Sequence, residues 1–286
     1  MPVSDKPTVV LRNVKKTYYV YPGGSSRSLV SRRKRTEVEA LKGISFATFA
    51  GESIGLLGKN GSGKSTLLSI VAGNESPTSG EVWVSARPTL LGVGAALQAH
   101  LSGRENVRLG LLAMGLTPAE VAELEMPVAE WADIGEAIDR PLNTYSSGMR
   151  ARLRFAISTA VKRDILLVDE ALSTGDATFA ARAKERMDSF LDDAGTVFLV
   201  SHGPAAIKAH CTRAIWINEG EFVCDGPVDE VADAYRAWSH FSALKRPDKM
   251  DTIINRVRNK YGQPRQIVFD SELARTIDTH PEYFRQ

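Results

Sequence analysis

Gly58-Lys59-Asn60-Gly61-Ser62-Gly63-Lys64-Ser65-Thr66 is the stretch on which the reading of this chain turns. It fits the phosphate-loop spacing G-x-x-x-x-G-K-[ST], and its surroundings fit too. Ser53-Ile54-Gly55-Leu56-Leu57 ahead of it reads as a short apolar strand. Leu67-Leu68-Ser69-Ile70-Val71-Ala72 behind it reads as the opening turns of an apolar-faced helix. Strand, glycine loop and helix in that order form an anion cradle. Glycines let successive N–H groups turn toward one phosphate chain, and the helix N-terminus adds partial positive charge. Lys64 has the reach for β- and γ-phosphates, and the Ser65 hydroxyl suits Mg²⁺. The plain alternative, a glycine turn with a surface lysine, does not explain the flanking strand and helix.

Working outward, Val9–Val14 reads as a strand, followed by Tyr18, Tyr19 and Tyr21 and then a loop at Pro22-Gly23-Gly24-Ser25-Ser26. Arg27, Arg32, Arg33, Lys34 and Arg35 make the next stretch basic, and strands resume at Val38–Leu41 and Ile44–Phe49. Glu81–Val84 and Thr89–Leu91 are further short strands. Between about Gly94 and Ser158 the apolar spacing becomes helical, over Glu105–Met114, Pro118–Met126, Pro127–Ile138 and Gly148–Val161. Ile165–Val168 and Val197–Val200 are wholly apolar runs of the kind buried parallel strands show. The helices expected after them, Thr178–Asp192 and Pro204–His210, make a βαβ arrangement. Ala214–Asn218 and Glu221–Asp225, joined by Glu219-Gly220, predict a hairpin. Lys245–Met250 reads as a linker before a short amphipathic segment, Ile253–Val257.

Composition narrows the class. With 286 residues, 43% hydrophobic and 24% charged, the chain has the balance of a globular protein. Its net charge of +2 does not point to nucleic acid. No run of eighteen apolar residues offers a membrane span, and Met1–Lys16 lacks the apolar core of a signal peptide. Cys211 and Cys224 are too few for a disulfide framework and read as buried thiols in a reducing compartment. Trp83, Trp131, Trp216 and Trp238 read as packing residues.

The polar residues that end the apolar runs complete a nucleotide-hydrolysing constellation. Asp169 follows one run and suits Mg²⁺. Glu170, next to it, suits a general base or a water-positioning group. His202 follows the second run and suits donation to a γ-phosphate. Tyr145-Ser146-Ser147-Gly148-Met149-Arg150 opens a helix with small hydroxyl and glycine residues, a second anion site or a simple N-cap.

On these motifs the chain resembles the ATP-binding cassette (ABC) family, the motor subunits of membrane transporters, over roughly Val9–Glu230. Gly58–Thr66 matches its Walker A loop, and Ile165–Asp169 its Walker B strand with Glu170 as catalytic glutamate. Tyr145–Met149 (Ser146, Ser147, Gly148 and Met149 within it) matches its signature. Asp176 matches the D-loop aspartate and His202 the switch histidine. Tyr18 is similar to the adenine-stacking aromatic, with Tyr19 in competition. The resemblance implies an α/β P-loop NTPase fold with a RecA-like core, an antiparallel β subdomain and an α-helical subdomain. The ABC ATP-binding domain would span 1–240, with the helical subdomain at about 94–160 and an insertion at about 21–37. A short C-terminal extension, 241–286, would follow.

It also implies ATP and Mg²⁺ as ligands, and a homodimer whose sites each join one Walker A loop to the opposite signature. The partner is then two copies of a polytopic permease, with the ATPase peripheral on the cytoplasmic face of a bacterial membrane and no nucleic acid involved. The variant signature Tyr-Ser-Ser-Gly-Met, Leu101-Ser102-Gly103-Arg104-Glu105-Asn106 and Val168-Asp169-Glu170-Ala171-Leu172 with Gly175-Asp176 resemble bacterial surface-polysaccharide exporters. They imply a lipid-linked glycan of O-antigen or galactan type, or else capsule or wall teichoic acid, as cargo. Forty residues past Lys245 are too few for the C-terminal carbohydrate-binding sandwich of some O-antigen cassettes. The usual glutamine of the family's Q-loop falls near Val93, which leaves Gln98 or other groups in Gly92–Leu101 for that role. A soluble repair or translation cassette, or a purely structural nucleotide-binding module, is the reading outside transport.

Overall fold

A computed structural model describes residues 6–20, 36–91, 97–168, 195–200, 203–262 and 267, with isolated positions between 179 and 189. Asp169, Glu170, Asp176 and His202, the insertion at 21–35 and Val93 lie outside the described residues.

Two sheets meet beneath the phosphate loop. The first is a three-stranded antiparallel layer in the order β2-β1-β4, built from β1 (Pro7–Val20), β2 (Thr36–Phe49) and β4 (Ser79–Val84). The second has six strands in the order β5-β6-β7-β3-β8-β9. They are β3 (Ser53–Leu57), β5 (Thr89–Leu91), β6 (Ile165–Val168), β7 (Thr196–Val200), β8 (Arg213–Asn218) and β9 (Glu221–Pro227). Its pairs from β5 to β8 are parallel, and β9 returns antiparallel. The all-apolar sequences of β6 and β7 suit strands with both faces covered. The hairpin turn places Glu219 at φ 52° and Gly220 at φ 78°, the left-handed pair that matches strand twist.

Helix α1 (Lys64–Val71) packs between the sheets with Leu67, Leu68, Ile70 and Val71 buried against Val9, Leu11, Phe46, Ile54 and Leu56. A buried hydroxyl contact ties the sheets: Thr8 Oγ1 lies 2.8 Å from Thr196 Oγ1 and 3.2 Å from Thr48 Oγ1. The other face of the six-stranded sheet is covered by α5 (Pro204–His210), α6 (Val228–Ala243) and α7 (Pro247–Tyr261). There Trp216, Tyr235 and Trp238 form an aromatic cluster with centroids 5.3–5.9 Å apart.

A separate core belongs to α2 (Gly103–Ala113), α3 (Pro118–Ala132) and α4 (Ser147–Ser158), around Val107, Leu111, Val128, Leu153 and Ile157. Helices α2 and α3 each start on a capping box, Ser102 with Glu105 and Thr117 with Glu120. The α/β P-loop class expected from the sequence is therefore what the chain forms.

Some expectations change. β1 and β2 are continuous fourteen-residue strands, so Tyr18 and Tyr19 lie within a strand. Pro118–Met126 and Pro127–Ile138 are not two helices: α3 runs through Pro127 to Ala132, and a 3₁₀ turn covers Gly135–Asp139. An interior proline loses a hydrogen bond and crowds the carbonyl four residues back, costs offset here by burial of Val121, Val128, Ala129 and Ala132. The linker at Lys245–Met250 is shorter than expected, because α7 starts at Pro247 and absorbs Ile253–Val257. Trp83 is not a core residue; it is 38% exposed on edge strand β4, with Arg12 5.7 Å from its ring centroid. Of the helix expected over Thr178–Asp192, the described positions between 179 and 189 are helical, and the others lie outside the described residues.

Candidate nucleotide site

The loop leaves the carboxyl end of β3, which sits between β7 and β8. Register places Leu56 opposite Val200, and Leu199 opposite Val168. Thus β3, β7 and β6 end side by side at one edge of the sheet, the edge where open α/β sheets bind ligands. Asp169 and Ser201-His202 follow those strand ends directly in sequence.

The loop is moulded by its glycines. Gly61 and Gly63 have φ 78° and 104°, and a Cβ on Gly63 would lie 2.5 Å from the Ala40 carbonyl oxygen. A Cβ on Gly58 would lie 2.3 Å from the Ile217 oxygen. The backbone therefore touches β2 and β8 where only glycine fits. The turn of the β8–β9 hairpin braces it from behind: the Gly220 N–H donates to Ser62 O at 3.0 Å, and the Lys42 N–H donates to Gly220 O at 2.9 Å.

Within this frame Lys64 is buried and its ammonium donates to Gly58 O at 2.6 Å and Lys59 O at 2.8 Å. The Ser62 hydroxyl is buried without a hydrogen-bond partner among the described residues, an expensive state for a polar group. Asn60, Gly61 and Ser65 are exposed, and Thr66 is half-buried. A cradle closed to side chains, an ammonium held over loop carbonyls and an orphaned hydroxyl fit a phosphate chain. Ser65, at the start of α1, fits the metal that accompanies one. Lys59 faces away: it donates to Ser242 Oγ and lies 4.7 Å from the Trp238 ring centroid.

Tyr18 lies beside α1. Its hydroxyl donates to Glu75 at 2.6 Å and interacts with the Thr66 side chain, while Lys16 bonds Glu75 at 3.0 Å. Burial and then Glu75 raise the Tyr18 phenol above its ordinary value, whereas the Tyr18 bond, with Lys16, lowers Glu75. Tyr19 points elsewhere and is exposed.

Ser146 caps α4 by accepting from the Met149 N–H at 3.1 Å, with Ser146 and Ser147 exposed at the helix start. This segment is locked to the Leu101–Asn106 stretch. Tyr145 donates to Ala137 O at 2.6 Å, and a Cβ on Gly103 would sit 2.2 Å from the Tyr145 hydroxyl. The Leu142 N–H donates to Leu101 O. Asn106 in turn holds the Gln98 backbone, accepting from its N–H at 2.7 Å and donating to its carbonyl at 3.1 Å. The described residues thus bring together Gly58–Thr66 with Tyr18, and separately Ser146–Met149 with Leu101–Asn106. Glu75, the bond of Gly220 to the loop and the Gly103–Tyr145 contact escaped sequence reading. Their partners are far along the chain, and only the glycines hinted at close approach.

Loop, sheet and strand-end order define a P-loop nucleotide-binding protein. A family profile described as ABC transporter matches residues 41–173. The teichoic acids export ATP-binding protein TagH of Listeria monocytogenes serotype 4b is 39% identical over 231 residues, covering 79% of this chain and 69% of that one. The TagH proteins of Bacillus cereus and Bacillus anthracis are 40% and 37% identical, over 81% and 84% of this chain. The chain spans only 43% and 45% of their lengths. The fold also matches a dimeric post-hydrolysis state of the ATP-binding cassette MJ0796 bound to ADP and Pi. That match has a TM-score of 0.60 and 23% identity, and covers 77% of this chain and 98% of that one. An ATP-binding subunit of an ABC transporter matches with a TM-score of 0.62 at 18% identity, over 87% and 99%. The chain belongs to the ABC transporter ATP-binding family.

Proposed function

We propose that this chain is the ATP-hydrolysing subunit of a bacterial exporter that moves a lipid-linked surface polymer across the cytoplasmic membrane. The observation that carries the reading is the glycine cradle at the carboxyl edge of β3, with β6 and β7 ending beside it. Family membership adds the transporter. Among cargoes, the names of the relatives favour teichoic acid, the alternative cargo, over the O-antigen or galactan type that the signature letters put first. No helix of the described residues is long and apolar enough to cross a membrane, which accords with a subunit docked on a separate permease pair.

In this reading the loop N–H groups and Lys64 hold the β- and γ-phosphates of ATP, and Tyr18 stacks on the base. Ser65 and Asp169 would hold Mg²⁺, which supplies charge neutralisation at the phosphates when bound. Glu170 orients and deprotonates the attacking water, and His202 donates to the γ-phosphate. Ser146, Ser147, Gly148 and Met149 present their N–H groups and hydroxyls to the nucleotide held by a second copy, with Asp176 at the seam between copies. Closure of the two copies excludes water and moves the permease.

Glu170→Gln tests the assignment. ATP binding should persist while turnover falls by about 10²-fold or more, and parental turnover in that variant would sink it. Depleting the protein and identifying the lipid-linked polymer that accumulates at the cytoplasmic face distinguishes the cargoes.

A further inference from the structure

Lys59 belongs to the phosphate loop but sends its side chain out of the cradle, onto α6. Its ammonium donates to Ser242 Oγ and lies 4.7 Å from the Trp238 ring centroid. Trp238 and Ser242 are four residues apart, so they stand one turn apart on a single face of that helix. The indole is a fixed platform. It is buried, lies edge-on to Trp216 at 5.3 Å and is stacked with Tyr235 at 5.9 Å. One face of α6 therefore offers the Lys59 cation both a ring and a hydroxyl acceptor.

The main chain of the same residue closes the loop. The Lys59 carbonyl oxygen accepts from the Ser62 N–H at 3.1 Å and from the Lys64 ammonium at 2.8 Å. The first bond shapes the turn, and the second fixes where the Lys64 ammonium rests. Lys59-Asn60 lies between Gly58 at φ 155° and Gly61 at φ 78°, the residue type with the greatest backbone freedom. Asn60 and Gly61 are exposed, and nothing among the described residues lies within 4 Å of a Cβ on Gly61. Packing thus does little to hold the outer half of the turn. The Lys59 peptide is held on one side by its hydrogen bonds and on the other by the grip of its side chain on α6.

We infer that Trp238 and Ser242 are positioning residues for ATP. Acting through Lys59, they hold the carbonyl that places Lys64, and so set nucleotide affinity from a helix outside the cradle. Without that grip, binding has to order a turn that α6 otherwise keeps in place. The inference rests on the reading of Gly58–Thr66 as the phosphate site for ATP.

The test is a double-mutant cycle on the full chain, Lys59→Met with Ser242→Ala. ATP affinity comes from titration calorimetry, KM and kcat from turnover, and Tm is recorded for every variant. Each single change should weaken ATP binding about threefold or more, up to about tenfold for Lys59→Met. KM should rise in step while kcat stays within about twofold of the parent, and Tm should move by no more than about 3 °C. The double variant should bind no worse than Lys59→Met alone, because Ser242 acts only through Lys59. Lys59→Arg keeps a cation and donor for the same ring and hydroxyl, and should bind within about twofold of the parent. If Lys59→Met does not fold, Lys59→Gln takes its place in the cycle. Parental affinity in Ser242→Ala would mean that Lys59 acts by its own charge, and additive losses that Ser242 acts by another route. A lowered Tm with unchanged affinity would leave the contact as a surface staple. Each of these three results overturns the inference. Lys64→Ala separates it from the loop reading. Parental ATP binding in that variant would remove the loop reading and the inference together, whereas loss there with parental binding in the Lys59 and Ser242 variants would remove the inference alone.

Discussion

Gly63→Ala attacks the cradle where it is least forgiving. The added methyl would sit at φ 104°, 2.5 Å from the Ala40 carbonyl oxygen and 2.7 Å from Leu41 Cδ2. The left-handed backbone costs about 1–2 kcal/mol for a residue with a Cβ. The overlap adds about 1–3 kcal/mol, because a strand carbonyl cannot rotate aside as a side chain can. The sum is about 2–5 kcal/mol. At about 0.6 kcal/mol per kelvin of unfolding entropy for a chain this long, Tm should fall by about 3–8 °C. Gly61→Ala is the matched control. Its φ is 78°, but nothing among the described residues lies within 4 Å of its Cβ position, so only backbone strain remains, worth about 2–3 °C. Relief of the Gly63 clash must shift the N-terminus of α1 away from β2. ATP affinity should therefore fall by about tenfold or more, since displaced N–H groups no longer converge. Scanning calorimetry and titration with a fluorescent ATP analogue measure both quantities. A Gly63→Ala chain that melts within a degree of the parent and binds ATP equally well would refute the reasoning, as would greater damage from Gly61→Ala.

Further outcomes rest on groups away from the loop. Arg213 is buried between Asp225 (2.6 Å) and Glu52 (2.8 Å); burial pushes its pKa down, but the two carboxylates outweigh that and hold it above the ordinary value. Arg213→Met strands both carboxylates and should cost about 3–5 kcal/mol in urea unfolding, part of which returns when Asp225→Asn and Glu52→Gln are added. Glu125 is held below its ordinary 4.5, first by Arg108 and then by Arg104. A depressed carboxylate contributes stability that is complete above 4.5 and is lost as pH falls through the lowered value. Melting from about pH 6 to about pH 3 should show a shallower acid limb for Glu125→Gln than for the parent; identical limbs would remove Glu125 from the account. Burial raises the Cys211 and Cys224 thiols to about 12. A disulfide reagent at neutral pH should label neither thiol until denaturant is added.

Much of the fold was legible where its cause is local. Glycine spacing around Lys64 announces the loop, and the unbroken apolar letters of Ile165–Val168 and Val197–Val200 announce covered parallel strands. Of helix α7 only the amphipathic segment Ile253–Val257 was legible, because only Ile253 and Val257 are buried in it, too thin a stripe to extend over fifteen residues. Pro127 misled for the opposite reason: a strong local break signal was overridden by packing on both sides of it. Trp83 shows that an aromatic letter on an edge strand carries no information about which face it occupies. At the site, Gly58–Thr66 and the Ser146 cap were read from sequence, but the contacts that hold them were not. Tyr18 with Glu75, Ser62 with Gly220 and Tyr145 with Gly103 pair residues that only the folded sheet and bundle bring together.

The contact of Lys59 with Trp238 and Ser242 bears on where this chain can be cut and joined. The phosphate loop rests one of its own residues on α6, and α6 in turn packs on α7. A chimera that exchanges everything after the β8–β9 hairpin would swap out a wall of the nucleotide loop along with the tail. The junction that leaves ATP handling intact falls after Tyr261, so a foreign carboxyl-terminal module belongs behind α7.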